Sequence, residues 1–173
     1  MPEFEKGPFY SGMIGSFAQA FGDAIDLREH TEPEIVKLGT TETWAGIEFK
    51  FTPGASSDIP AASIIIGGQV YYCHWTPAKA HMSHLQVVSQ AAIDAEITET
   101  ENVLNSGCKV IIGSHGGKAT REDVEFKLAY LKKAKELRTT CISAEEWVEA
   151  MKATYPSLPR PEGLKELAET IYK

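Results

Sequence analysis

The chain has 173 residues, a formal net charge of −7 at pH 7, 43% hydrophobic residues and 24% charged residues. This length predicts one domain with a substantial core, and the composition is typical of a soluble globular protein. The acidic balance, without a cluster of Lys and Arg, argues against a nucleic-acid partner, and no apolar run approaches the ~20 residues of a membrane span. We therefore expect neither nucleic acid nor a membrane as a partner.

The first ten residues contain two prolines and one glycine, and we interpret residues 1–10 as a leader before a single domain at 11–173. The N-terminus lacks the apolar core of a signal peptide. The three cysteines (Cys73, Cys108 and Cys141) are far apart in the sequence and form no Cys-x-x-Cys pair. They are typical of reduced thiols, so we expect a cytoplasmic protein.

The first half of the chain predicts a helix followed by short strands. From Ser11 to about Ile25, apolar residues recur at steps of three and four, as in an amphipathic helix. Residues 34–38 are a strand candidate, and residues 39–42 have the composition of a turn. Residues 47–51 alternate between apolar and charged side chains, which is typical of a half-buried strand. A polar loop is expected at 54–60.

The next segment predicts a hairpin, a helix and a buried strand. Gly67 and Gly68 separate the strands at 61–66 and 69–73, so a two-residue turn is expected there. A helix is expected from Ala80 or slightly later up to Ser106, with its acidic residues, including Glu96 and Glu99, facing outward. A buried strand follows at 110–112 and should end at Gly113.

Three helices are expected to complete the chain. Thr120 and Asp123 resemble a helix cap before residues 121–137, and Ser143 with Glu146 forms a capping box before a helix ending near residue 154. A short helix is expected at 163–172. The order of elements predicts an α/β or α+β fold, in which a mixed, mostly antiparallel sheet has helices on one face.

The segment at residues 110–118 carries the strongest functional signal. It places His115 in a glycine-rich turn directly after a buried strand. In α/β folds, the chemistry lies at the carboxyl ends of strands, and glycines let the backbone approach a ligand closely. The sequence therefore indicates His115 as the first candidate for a functional residue.

Three further histidines can be grouped with it. His74 follows a strand, and His81 and His84 would share one face of a helix that began early enough. Imidazole is a common ligand of zinc and related divalent metals, and such a site needs three or four donors. We therefore predict His115, His74, His81 and His84 as candidate ligands of a divalent metal, with zinc favoured. The alternative is that His74, His81 and His84 are structural.

Two other hypotheses come from the same region. Trp75 and Tyr72 could line a substrate pocket for a small molecule, although aromatic clusters are more often core. A metal-free enzyme could use His115 as a general base, assisted by Tyr71 or Tyr72. No partner carboxylate is identifiable for that role.

From about Gly39 onward, the chain resembles the C-terminal half of metallo-β-lactamase-fold hydrolases. The likeness lies in the turn at 51–54 (Phe-Thr-Pro-Gly), in the strand pair at 63–72 with His74 and Trp75 after it, and in the turn at 111–117 (Ile-Ile-Gly-Ser-His-Gly-Gly). In that family, such a Gly-His-Gly turn carries the last metal ligand. The resemblance thus implies a hydrolase in which His115 binds a metal.

The chain also departs from this family. The His-x-His-x-Asp-His motif is absent, Ala55 stands where a histidine usually follows Thr-Pro-Gly, and residues 67–69 lack the usual bridging aspartate. The family fold is a four-layer αββα sandwich, of which this chain resembles one half. The resemblance therefore implies a homodimer or a complementary half-domain, or a fragment of a longer enzyme. The alternative function is a non-catalytic binding or assembly protein that uses the half-sandwich to dimerise.

Overall fold

The computed structural model describes residues 8–24, 36–55 and 62–173. Its contacts divide the chain between Lys37 and Leu38, and each unit is described by itself. In the first unit, helix α1 spans Pro8–Phe21 and a 3₁₀ turn spans Gly22–Ala24. The predicted helix is therefore present, but it begins three residues earlier than expected, inside the segment interpreted as a leader.

The second unit contains a mixed sheet of five strands in the order β1-β2-β3-β4-β5. The strands are β1 (Thr41–Trp44), β2 (Ile47–Pro53), β3 (Ala62–Ile66), β4 (Val70–Trp75) and β5 (Val110–His115). Consecutive strands from β1 to β4 are antiparallel, whereas β5 is parallel to β4. This arrangement confirms the predicted mixed, mostly antiparallel sheet.

Two tight turns fix the antiparallel part. Gly67 and Gly68 both have positive φ at the centre of the turn after β3, where the N–H of Gln69 donates to the carbonyl of Ile66 at 3.0 Å. The predicted hairpin is therefore present, but Ile66 pairs with Val70, so three residues separate the strands instead of two. Ala45 and Gly46 also have positive φ and form the second tight turn. The prediction of a strand at 34–38 is wrong for its described residues, 36–38. The first strand instead lies at 41–44, where a turn was expected, because Ala45 and Gly46 fold it back on β2.

Four helices accompany the sheet: α2 (Gln90–Asn105), α3 (Arg121–Thr140), α4 (Ala144–Thr154) and α5 (Leu164–Ile171), the last preceded by a 3₁₀ turn at Pro161–Gly163. Helix α2 begins ten residues later than predicted, because Ser89 is its N-cap and accepts a hydrogen bond from the backbone N–H of Ala92. Strand β5 also continues beyond Gly113, to His115. None of the helices in the described residues is long and apolar enough to cross a membrane.

The buried core lies between the helices and one face of the sheet. Tyr71, Cys73 and Ile111 pack from β4 and β5 against Val103 of α2 and Val124 of α3. A larger apolar cluster joins α2, α3, α4 and α5 to one another, around the fully buried Trp147 and Met151. Both clusters are on the same side of the sheet, which we call the helix side.

The opposite side, which we call the outer face, carries two apolar rows. Side chains of paired residues point to the same side of a sheet. One row contains Phe51, Ile64, Tyr72 and Ile112, and the other contains Phe49, Ile66, Val70 and Val110. None of these residues belongs to a buried cluster of the described chain. Within the second unit, helices thus lie on one face of the sheet and an apolar face remains on the other.

Candidate functional site

Two of the predicted histidines lie side by side at the carboxyl ends of β4 and β5. The rings of His74 and His115 are 5.2 Å apart, between centroids. Trp75 is paired in register with His115 and stacks on its ring at 4.2 Å, with 24° between the ring planes. The N–H of Thr76 donates to the carbonyl of His115 at 2.9 Å, which extends the strand pairing past the last register pair. The parallel pairing of these strands therefore assembles the three rings.

The glycines beside His115 are required by close packing. A Cβ atom on Gly113 would lie 2.7 Å from the hydroxyl of Thr76 and 2.8 Å from the carbonyl oxygen of Cys73. Gly116 has φ +100, and a Cβ there would lie 3.1 Å from the Cβ of Thr76. Thr76 therefore occupies the space that side chains would need at both positions. The glycines bring the His115 turn against the end of β4.

The environment of His74 favours a neutral imidazole. Its partial burial lowers its pKa, the neighbouring His115 lowers the pKa further, and Glu96 opposes these effects. A neutral imidazole can bind a metal or accept a proton. On the outer face nearby, the hydroxyl groups of Tyr72 and Ser114 are hydrogen-bonded. Tyr72 thus lies on the outer face beside Ser114, whereas Trp75 stacks on His115. The two predicted pocket residues therefore do not line one pocket together.

The structure does not bring His81 and His84 into a four-histidine group. His81 is buried, and its Nδ1 pairs with the hydroxyl of Tyr130 at 3.1 Å. Burial lowers its pKa, while the Tyr155 backbone and Glu162 raise it. His84 pairs with Glu166 of α5 at 2.9 Å. Because α2 begins only at Gln90, neither histidine is on a helix, and the expected shared helix face does not form.

The described residues of one chain do not fit the metal that the resemblance implies. Among them, no three His, Cys, Asp or Glu side chains are arranged to hold a metal ion. His74 and His115 supply two imidazoles, whereas a functional zinc site takes at least three protein ligands. No hydrolytic step through a metal is therefore assigned to a single chain.

A buried polar cluster under the site was missed by the sequence analysis. Lys127 of α3 and Glu96 of α2 form an ion pair at 2.6 Å, and their side chains are 8% and 5% exposed. Glu99 accepts hydrogen bonds from the hydroxyls of Tyr71, at 3.1 Å, and Ser63. The two carboxylates and Lys127 line a small cavity of about 20 Å³. Its size and polarity suit one buried water.

The cluster changes the ionisation of its members. Burial raises the pKa of Glu99, against the lowering effect of its hydrogen bonds from Ser63 and Tyr71. Burial also raises the pKa of the Cys73 thiol to about 12, so this cysteine is not a nucleophile at neutral pH.

The expectation that Glu96 and Glu99 face outward is wrong. The buried side of α2 contains Ala92, Glu96, Glu99, Thr100 and Val103, which recur at helical spacing. This spacing was visible in the sequence. The acidic character of Glu96 and Glu99 concealed it, since ionised residues are seldom fully buried without partners.

No protein-family model matches the chain, and no curated protein matches it significantly. Several solved structures are similar to it, among them the following two. One is a stereoselective inverting sec-alkylsulfatase from a Pseudomonas species, with a TM-score of 0.52 and 15% identity over 80% of this chain and 25% of that chain. The other is an archaeal metallo-beta-lactamase superfamily protein from Sulfolobus tokodaii, with a TM-score of 0.42 and 12% identity over 92% of this chain and 63% of that chain.

The chain therefore spans a quarter of the alkylsulfatase and less than two thirds of the archaeal protein. At 15% identity, the likeness to the alkylsulfatase concerns the fold alone. The fold of this chain is an α+β arrangement, similar to one portion of that larger protein.

Proposed function

We propose that the chain is an assembly module, one half of a hydrolase-type sandwich, which a second copy completes by packing on the outer face of the sheet. The observation that carries the proposal is the apolar character of that face, across four neighbouring strands. Contiguous apolar surface on a soluble protein marks an interaction site when nothing else covers it. Face-to-face sheets separated by about 10 Å bury such surfaces efficiently.

A second copy suits this face better than a charged partner. Around β1 and β2, Trp44 contacts Phe49 and Phe51, with ring centroids 4.9 Å and 5.7 Å apart. Trp44 and Ile47 remain 47% exposed each. Glu42, paired with Phe49, is the charged residue on this part of the face. The face is therefore suited to an apolar partner surface. A second copy supplies such a surface, because a two-fold dimer uses the same patch on both subunits.

The test is the oligomeric state of two matched variants. Ile47→Asp places a carboxylate on the outer face, and Ile142→Asp makes the same change at a residue that is 93% exposed between α3 and α4. Light scattering after size-exclusion chromatography should find a dimer for the wild type and Ile142→Asp, and a monomer for Ile47→Asp. We expect the two variants to differ because Ile47→Asp would bury an unpaired carboxylate in the dimer interface, which is strongly unfavourable. A monomeric wild type at micromolar concentration would contradict the proposal.

A second candidate function is metal-dependent hydrolysis of a small molecule at the completed sandwich. The pair of His74 and His115 favours it, because these rings lie at the ends of the strands that carry Tyr72 and Ile112 on the outer face. The sequence resemblance and the fold likeness to an alkylsulfatase also support it. The donors missing from one chain would come from a partner half or a second copy.

Elemental analysis of the purified protein separates the two candidates. A metal site completed by the dimer should hold about one zinc, iron or manganese ion per two chains, and His115→Ala should remove it, since true sites of three or four donors bind tightly. A metal content below about 0.2 per chain would leave the non-catalytic assembly function. His84→Ala is the control, since His84 pairs with Glu166 instead.

A further inference from the structure

One cleft on the helix side is rich in hydrogen-bond donors and contains no acidic side chain. Its volume is about 220 Å³, and Trp75 and His115 form part of its wall. The residues with a positive or protonatable side chain in this wall are His81, His115, Lys127 and Arg160. In a chain with a net charge of −7, a cleft with this lining is unusual and favours an anion.

Several donors in the cleft are not fully used by the residues that the structure describes. The guanidinium group of Arg160 has no hydrogen-bond or ion-pair partner among the described residues, and one polar atom of the wall, the hydroxyl of Thr76, is buried and lacks a partner among them. The side-chain oxygen of Gln86 accepts from the N–H of Ser83 at 3.0 Å, which leaves its amide N–H groups free to donate. These groups line the same space.

Lys127 contributes a buried ammonium group to the wall of the cleft. Its side chain is 8% exposed and is paired with Glu96. An ammonium group has three N–H donors, so this pairing leaves others for a ligand. Glu96 lines the small cavity of about 20 Å³, which Lys127 also lines, and it does not line the cleft itself. The pair carries no net charge, so Lys127 supplies N–H donors to the cleft, and the positive charge that no carboxylate neutralises among the described residues is that of Arg160.

The loop that carries Arg160 is held against the cleft. The N–H of His81 donates to the carbonyl of Pro159 at 3.0 Å. Arg160 itself has φ 67, in the left-handed region that non-glycine residues seldom adopt, and it lies between two prolines. The backbone is thus fixed on both sides of a guanidinium group that has no partner in the described part of the chain.

We propose that this cleft binds a small tetrahedral oxyanion, a phosphate or sulfate group, with Arg160 and Lys127 as the charged donors. Arginine presents N–H groups in a planar fork that matches the oxygens of such anions. The cleft is smaller than the pockets of drug-sized ligands, so it takes a single compact group. This site lies on the helix side and does not depend on the dimer proposed above.

The experiment titrates the protein with inorganic phosphate, sulfate and methyl phosphate at pH 7 and constant ionic strength. The readout is the indole N–H signal of Trp75 in a ¹H–¹⁵N spectrum, assigned with Trp75→Phe. Arg160→Asn removes the guanidinium group and keeps a residue that tolerates the left-handed backbone. Lys118→Asn is the matched control, because it makes the same charge change on the glycine turn at a residue outside the cleft wall.

We expect saturable binding of at least one of the three anions, weakened about tenfold or more by Arg160→Asn and less than about twofold by Lys118→Asn. Tighter binding of methyl phosphate would identify an ester as the source of the group, and tighter binding of inorganic phosphate or sulfate would identify the free ion. The absence of a saturable shift up to about 50 mM would overturn the proposal. Equal weakening in both variants would also overturn it, because the binding would then reflect only the overall charge of the protein. Acetate binding as tightly as phosphate would overturn the tetrahedral assignment.

Discussion

Glu99 gives a sharp test of the buried polar cluster. This residue is 6% exposed, and its carboxylate accepts hydrogen bonds from Ser63 and Tyr71, which are 1% and 2% exposed. Glu99→Leu removes the acceptor that two buried hydroxyls share, and the loss of each of these hydrogen bonds costs about 1–3 kcal/mol. Part of this loss is offset because no carboxylate is then buried. We expect a net destabilisation of about 2–5 kcal/mol.

Glu99→Gln is the matched control, because its amide oxygen keeps an acceptor in the same place. Its stability should lie within about 1 kcal/mol of the wild type at neutral pH. Thermal unfolding followed by circular dichroism measures the difference. For a chain of this size, 1 kcal/mol corresponds to about 2–4 °C, so Glu99→Leu should melt roughly 5–20 °C below Glu99→Gln. Equal melting temperatures for the two variants would refute the structural role of this acceptor.

The same residue predicts a pH dependence of stability. Burial is the main cause that raises the pKa of Glu99, with a smaller rise from Glu96 and lowering effects from Ser63, Tyr71 and Lys127. Between the ordinary glutamate pKa and the raised value, the folded protein holds a proton that the unfolded chain has released. Stability from this group is therefore complete below the ordinary value and falls as the pH rises through the raised one. Glu99→Gln should lack this fall, and a wild type with no steeper decline than the variant would contradict the assignment.

Two further predictions concern the turn and the ion pair. Gly113→Ala should destabilise the protein by about 1–3 kcal/mol in urea unfolding, because its Cβ would overlap backbone atoms at 2.8 Å, while Gly117→Ala, with no atom within 4 Å, should change it by less than about 0.5 kcal/mol. Lys127→Met should cost about 3–5 kcal/mol by leaving Glu96 buried without its partner, and adding Glu96→Leu should recover most of that loss in the same measurement. A double variant no more stable than the single one would show that the pair itself is needed.

Local chemistry in the sequence predicted most of the strands and the caps of the later helices. Gly67 and Gly68 have the positive φ values that a tight hairpin turn needs. Thr120 caps α3 as expected, and Asp123 completes a capping box with it. Ser143 caps α4 as expected, but the Glu146 carboxylate accepts from the N–H of Ile142. Such signals lie within a few residues of the feature they determine, which is why they can be recognised without the fold.

The errors occurred where tertiary contacts override local patterns. Residues 80–89 were predicted to begin a helix, but the N–H of His81 bonds to Pro159 and Ser89 caps α2, so the segment is irregular. The strand at 41–44 was missed because Thr41, Glu42 and Thr43 are polar and exposed, as suits an edge strand. Neither arrangement has a signature in its own short segment.

Of the four histidines predicted for the candidate site, only His74 and His115 lie together as the sequence suggested. Two histidines at the carboxyl ends of neighbouring parallel strands must lie close together, as His74 and His115 do. The partners of His81 and His84 are Tyr130 and Glu166, which lie 49 and 82 positions away in the sequence. Only the packing of α3 and α5 creates those pairs, so spacing along the chain could not separate structural from functional histidines.

The two sides of the sheet differ in chemistry, and His115 lies where they meet. On the helix side, Lys127 and Arg160 line a cleft of donors next to Trp75. On the outer face, the same two strands, β4 and β5, carry Tyr72 and Ile112 of one apolar row. A second copy on the outer face would approach the strand ends without filling the cleft, because the sheet separates them. Anion binding and dimerisation should therefore be separable by mutation, with Arg160→Asn affecting only the first and Ile47→Asp only the second.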